Sequence, residues 1–505
     1  MKKRRGVRGK TVKKPLGRPT NGGYNRSKIF QKEGMSMTKD LTSGKPMGLI
    51  VGFALPTLLG MLFQQLYNLV DTMIVGKLLG SSALAAVGST GSINFFVIGF
   101  CMGVCNGFAI PVAQRMGANE PSKMRRYAAN AAWLSVLFAI VLTVSTGLLC
   151  RQILTLMLTP EDIFHDAQAY IFVIFMGIPA TFLYNLLAGI LRSLGDSRTP
   201  VYFLALSSIL NIVLDFALIL GADAGVAGAA VATVASQGVS GIACLLYMRK
   251  RYPILRMTRE ERRPDLHACG VLCAMGIPMG LQYSITAVGS IVLQSSVNAL
   301  GSLYVAAVAA GAKVYQLLAC PFDAMGATMA TYCGQNVGAC KLDRLGQGIR
   351  ACTLLGLGYS VIALCGMVCF APQCAQLFLD PNELDAALLT ELTARYILIQ
   401  SLFFFPLALV NIIRFSIQGM GFSPFAILAG VLEMIARTGV GLILVPLFSY
   451  TAACFASPAA WVCADLFLAP ASASCIARLR RLYPNNPGGE ESIPQPVPRP
   501  VRAHQ

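Results

Sequence analysis

Asn211 and Asp215 stand four residues apart in a mostly apolar stretch, residues 201–220. In a helix, that spacing puts an amide and a carboxylate on one face. Asp71 and Thr233 stand in apolar stretches of the same kind. Together the four offer two carboxylates, an amide oxygen and a hydroxyl, an all-oxygen set of the kind that hard cations take. Two close carboxylates also raise each other's proton affinity, so the same cluster could hold H⁺ as well as Na⁺. The alternative is a hydrogen-bonded network that only fixes helix packing, and spacing alone leaves both open.

Other charges also interrupt apolar stretches. A charge at the centre of a bilayer costs about 2.5–3.5 kcal/mol on insertion scales, so each needs a reason. Glu433 and Arg437 are one turn apart, which suits an ion pair that neutralises itself or a substrate or gating contact. Lys313 precedes Asp323 by ten residues, and whether they pair is left open. Asp465 reads as a packing residue. The sixteen cysteines include pairs one turn apart, such as Cys101 and Cys105, but no C-x-x-C. His165, His267 and His504 lie outside the apolar stretches, so no cysteine pair has the company a metal site wants. No cofactor is expected. An enzyme of prenyl-group transfer would want a D-D-x-x-D pair, and none occurs.

The elements that must carry these groups are membrane helices. Hydrophobic residues make up 55% of the 505, and charged residues only 13%, about half the share usual in a soluble domain. A helix needs about 20 mostly apolar residues to cross the hydrocarbon. Twelve such spans are expected, near 47–75, 83–113, 127–150, 167–192, 201–221, 226–248, 269–297, 303–333, 347–371, 391–418, 424–446 and 456–477. Pro56, Pro179, Pro278, Pro406 and Pro446 lie within or near them, as static kinks or as hinges.

The formal charge of +18 reflects topology rather than nucleic-acid binding, because no basic face with interleaved aromatics accompanies it. Lys and Arg collect in the N-terminal tail and in alternate loops, whereas the opposite loops hold little more than Lys77, Arg151 and Arg395. By the positive-inside rule both termini are cytoplasmic. The two halves also match in register. Gly80 matches Gly301, Gln114 and Gly117 match Gln335 and Gly338, and Leu194-Gly195 matches Met420-Gly421, at offsets of 221 to 226 residues. Six spans precede six spans, so the repeats run parallel about an axis along the membrane normal, as in rocking transporters. The expected fold is an all-α integral membrane protein with twelve transmembrane helices in two six-helix lobes. Its expected parts are a disordered tail (1–46), an N-lobe (47–248), a linker (249–268), a C-lobe (269–478) and a disordered C-terminal tail (479–505). Met35 and Met37 are candidate translation starts.

Residues 56–88, Ala113 to Ala118, 189–215 and Cys333 through Ala339 resemble motifs of the multidrug and toxic compound extrusion (MATE) transporters. The resemblance covers about residues 38–480. It implies efflux of amphipathic, usually cationic compounds from the cell membrane in exchange for Na⁺ or H⁺. It also maps a cation site onto Asp71, Asn211, Asp215 and Thr233. No acid stands between Pro278 and Ser290, with Thr286 near the place where NorM-type members carry one. The chain thus looks closer to the DinF-like branch. Expected partners are drug-like small molecules and membrane lipid, with no nucleic acid, and a monomer can contain the whole pathway. Phe63, Tyr67, Tyr184 and Tyr283 are expected beside the substrate. A lipid or lipid-linked sugar flippase is the alternative; it would want a basic cavity, for which the spans offer Lys313 and Arg437.

Overall fold

Long apolar helices follow one another through the computed structural model, which describes residues 39–157, 159–377 and 386–483. Span 1 is Pro46–Leu79, and span 2 is Gly91–Gly117, preceded by a short helix, Ser81–Ser89. Span 3 is Pro121–Leu156. Span 4 is the pair Glu161–Met176 and Ile178–Ser193, bent by 46°. Spans 5 and 6 are Arg198–Gly221 and Gly225–Arg251. Span 7 is Leu266–Asn298, span 8 Ser302–Gly338 and span 9 Asp343–Gln376. Span 10 is the pair Ala386–Leu402 and Phe404–Gly419, bent by 50°. Spans 11 and 12 run together as Pro424–Leu482, and Ser449 divides them with φ 53° and ψ −139°. Twelve spans result. Pro179 and Pro406 stand just beyond the two bends, where a missing N–H and a ring clash weaken the helix ladder.

The halves repeat in backbone detail as well as in sequence. Gly80 and Gly301 both have positive φ, as do Gly195 and Gly421, and Asn119 and Cys340. A π-helical turn ends span 5 at Ala217–Gly221, and another lies at Val440–Leu444 in span 11. The outer faces of spans 3 and 9 present Ile140, Val144, Leu148, Leu354, Ile362 and Val368 to the surroundings. In water such faces would be a liability; hydrocarbon is their natural solvent.

The two lobes exchange the beginnings of their first helices. Ile50 and Phe53, at the start of span 1, are buried in the C-lobe core with Leu345, Ile417 and Leu479. Ala268 and Leu272, at the start of span 7, are buried in the N-lobe core. Each lobe thus lends the beginning of its first helix to the other. Glycines allow the crossing. A Cβ on Gly103 would meet the Met279 carbonyl oxygen at 2.6 Å, and Gly107 lies against Gly276. The tightest approach is reciprocal. A Cβ on Gly117 would collide with the Gln335 carbonyl, and one on Gly338 with the Gln114 carbonyl.

Residues 39–45, expected in the tail, instead lie across this crossing, and the rest of that tail (1–38) lies outside the described residues. The Lys39 N–H donates to the Gly195 carbonyl (3.1 Å) and the Leu41 N–H to Gln335 Oε1 (3.1 Å). Asn336 Nδ2 donates to the Leu41 carbonyl (3.2 Å), and Arg344 Nη2 to that of Gly44 (2.9 Å). Met35, Met37 and residues 484–505 also lie outside the described residues, whereas 479–482 continue span 12.

The linker is pinned rather than loose. Arg125 Nη2 donates to Glu261 Oε1 (2.7 Å), Ser122 donates to the same oxygen (2.8 Å), and Trp133 Nε1 donates to the Arg262 carbonyl (3.0 Å). The Arg125 guanidinium, with the Thr258 N–H and Ser122, holds the Glu261 carboxyl near 2, well below the ordinary 4.5. A lowered folded value means the stabilisation is complete above about 4.5 and is lost as pH falls towards 2. Glu261→Gln should therefore free the linker at neutral pH. Limited trypsin digestion should cut at Arg256, Arg259, Arg262 or Arg263 about tenfold faster, on the scale of ~1.4 kcal/mol of lost local order. An unchanged cleavage rate would refute the pinning.

Candidate functional site

A cavity of about 910 Å³ lies between the lobes. Of the four expected cation ligands, Asp71 and Thr233 line it, whereas Asn211 and Asp215 sit behind them, 1% and 0% exposed. The helix of span 5 sets Asn211 and Asp215 one turn apart, just before its π-helical turn. Such turns displace the backbone ladder and often mark functional places. Asn211 Nδ2 reaches Thr233 Oγ1 (3.4 Å), and that hydroxyl donates to the Ala229 carbonyl (3.1 Å). The Asp71 and Asp215 carboxyls lie close enough to interact. The structure thus brings all four residues together. Asp71 Oδ1, Asn211 Oδ1 and both oxygens of Asp215 are buried with no hydrogen-bond partner. Buried polar groups are normally satisfied, so four orphaned oxygens in one cluster need an explanation.

The expected substrate residues Tyr67, Tyr184, Tyr283 and Lys313 all line the cavity. The Tyr184 hydroxyl donates to the Pro200 carbonyl (3.0 Å), which fixes that ring. Phe63 does not line the cavity; it faces outward, 46% exposed, because it falls on the outer side of span 1.

The C-lobe wall differs from the sequence expectation. Glu433 does not pair with Arg437 alone. Its shorter contact is to Arg414 on span 10 (2.8 Å), and Arg437 lies 3.5 Å from its other oxygen. All three are buried and border the cavity. Asp323 and Asp465 both lie within electrostatic reach of Arg414. Among the described residues Lys313 forms no ion pair with Asp323, so that possible pairing is not made. Sequence reasoning missed both Arg414 and Arg192 as cavity groups. Arg192 belongs to span 4, lines the cavity and donates to Asn106 Oδ1 (3.0 Å). A partial signal was present: Arg192 and Arg414 each stand inside an apolar helix near the end of the fourth span of its half, although at the local offset of 226 Arg192 matches Gln418 and Arg414 matches Ala188. The cavity therefore carries four cationic side chains where two were expected.

Glu433 holds two buried guanidinium groups, so Glu433→Gln leaves both short of their counter-ion. Breaking a buried pair costs about 3–5 kcal/mol. The thermal unfolding temperature in detergent should fall by several degrees, and an unchanged transition would show that other groups hold the arginines.

Among the described residues, hydrogen bonds join the lobes at the face that carries the basic loops and also farther along spans 2 and 7. Gln114 Nε2 donates to the Gly419 carbonyl (3.1 Å), Gln335 Nε2 to that of Ser193 (2.9 Å) and Ser284 to that of Phe96 (3.1 Å). The cavity is closed at the basic face and continues towards the other, where Thr72 and Val87 line it.

Comparison with known proteins fits this geometry. A family model described as MatE matches residues 56–217 and 278–443, once in each half. The probable multidrug resistance protein YoeA of Bacillus subtilis is 31% identical over 338 residues, 66% of this chain and 73% of that protein. A MOP superfamily transporter from Pyrococcus furiosus superposes with a TM-score of 0.82 at 22% identity, over 88% of this chain and 99% of that one. A multidrug resistance MATE family transporter in an outward-facing conformation gives 0.81 at 22% identity, over 88% and 99%. With both halves matched and the twelve-span fold shared, the chain belongs to the multidrug and toxic compound extrusion family, a multi-pass membrane transporter and not an enzyme.

Proposed function

We propose that this protein exports small amphipathic compounds, cationic ones among them, in exchange for Na⁺ or H⁺ bound at Asp71, Asn211, Asp215 and Thr233. The orphaned oxygens carry this reading. Carboxylates without partners are expensive to bury, and a proton or a cation removes that expense. Asp71 meets the cavity and Asp215 backs it, so an ion entering from the cavity would reach Asp71 first. Ion binding can favour one arrangement of the lobes only if the two arrangements bind it unequally. Span 1 supplies the means, since it carries Asp71 while its first turns are packed in the C-lobe core. Rocking of the lobes must then move Asp71 relative to Asp215. With the basic face cytoplasmic, the cavity described above is open outward.

The test is efflux of ethidium from proteoliposomes under an imposed Na⁺ gradient, and then under a pH gradient. Efflux driven by one of them names the ion. No efflux under either, with folded protein, would exclude the antiport reading and turn attention to labelled lipids as cargo.

A further inference from the structure

The C-lobe wall of the cavity carries a feature that cation export does not use. Arg437 is 7% exposed, lines the cavity, and leaves Nη1 without a hydrogen-bond partner. Its only ion-pair partner among the described residues, Glu433, is shared with Arg414. Lys313 lines the same cavity, is exposed, and forms no ion pair among the described residues. The carboxylates on this wall are Asp323 and Glu433, with Asp465 behind the lining, close to Arg414 and Glu433. Three cationic groups thus face two carboxylates across the lining. Two residues after Lys313, Tyr315 stacks on Trp461 with ring centroids 5.9 Å apart and planes 18° from parallel. Both rings border the cavity, and Tyr315 lies within electrostatic reach of Arg437.

We infer that Arg437 and Lys313, beside the Tyr315–Trp461 stack, form an anion subsite for aromatic substrates that carry a carboxylate or a phosphate. A planar ring lies along the aromatic pair, and its acidic group takes charge-assisted hydrogen bonds from the Arg437 guanidinium and from Lys313 Nζ. With Asp71 on the opposite lobe, the preferred cargo is a zwitterion or an organic anion rather than a bare cation. The inference rests on reading the cavity as the substrate path, and it deepens that reading.

The sequence holds two tryptophans, and only Trp461 is at the site. In a Trp133→Phe background, quenching of Trp461 fluorescence reports binding in phosphatidylcholine nanodiscs without any gradient. The probes are rhodamine 110, with a free carboxylate, and rhodamine 123, its methyl ester. Rhodamine 110 should bind about tenfold more tightly, the scale of one charge-assisted hydrogen bond. Lys313→Gln, at an exposed position that should not disturb folding, and Arg437→Gln should each bring the two dyes within about twofold of each other. Asp215→Asn should leave the preference intact, so a failure of ion coupling and a failure of the subsite can be told apart. Addition of phosphatidylglycerol distinguishes sources. Displacement of rhodamine 110, lost in Lys313→Gln, would identify a lipid headgroup as the anion; no displacement would leave soluble aromatic acids. Equal or tighter binding of the ester, or no quenching by either dye, overturns the inference.

Discussion

Asp215→Asn should abolish ion-driven efflux while the protein still folds in the membrane. The substitution keeps the shape of a side chain that is 0% exposed and removes its charge. No donor reaches either Asp215 oxygen, and an amide in its place can still meet the Asp71 carboxyl beside it. Stability without added ion should therefore hold or rise, because an unpaired carboxylate is costly to bury. What is lost is the differential ion affinity that drives the exchange. A loss of ~2.7 kcal/mol of that affinity is about a hundredfold in the ion-binding constant. Two readouts keep folding and coupling apart. If the ion is Na⁺, it should raise the unfolding temperature of the wild type by mass action and leave that of Asp215→Asn unmoved. Gradient-driven ethidium efflux should fall to the leak rate. Normal pumping by Asp215→Asn would remove Asp215 from the coupling site.

Gly338→Val should be nearly as severe, for a steric reason. At Gly338 a Cβ would run into the Gln114 carbonyl, and the reciprocal position, Gly117, faces that of Gln335. Backbone on both sides of the contact cannot yield as the end of a side chain can. The helices must separate, and overpacking of this kind costs about 1–3 kcal/mol. That cost falls on the closed basic face alone, so the balance between lobe arrangements should shift by about five- to a hundredfold. Residues 39–45, which bond to Gln335 and Asn336, should lose protection in hydrogen exchange. Efflux should drop at least tenfold. Gly366→Val is the control, since nothing lies within 4 Å of a Cβ there. Full protection of 39–45 in Gly338→Val, with normal efflux, would show that this contact is not a gate.

The spans and the duplication were legible in the sequence because the bilayer enforces them. An apolar stretch of about 20 residues has few other uses, and Gly80, Gly117 and Gly195 recur in register as Gly301, Gly338 and Gly421. The cluster at Asp71 was legible for a related reason: a carboxylate in such a stretch is conspicuous, and Asn211 lies one turn from Asp215. Geometry across helices was not legible. Glu433 and Arg437 announce themselves by their spacing, but the shorter bond is to Arg414, on another span and nineteen residues earlier. Arg192 was missed because it sits near the end of its helix, where a cation reads as a topology signal. Phe63 and Tyr67 are four residues apart, yet only the second lines the cavity. The burial of Ile50 and Phe53 in the C-lobe core was equally invisible, since apolar residues look alike whichever lobe receives them.

That exchange of helix beginnings bears on how the protein is made. When the first six spans have left the ribosome, Gly103 and Gly107 still present an open seam, because the helix that fills it starts at Leu266. Ile50 and Phe53 likewise wait for a core that is complete only when Leu479 arrives, near the end of the last span. Neither half is a finished unit at birth. The N-lobe seam closes once the helix beginning at Leu266 is made, and the C-lobe core closes only with the last span, so each half is completed by residues of the other.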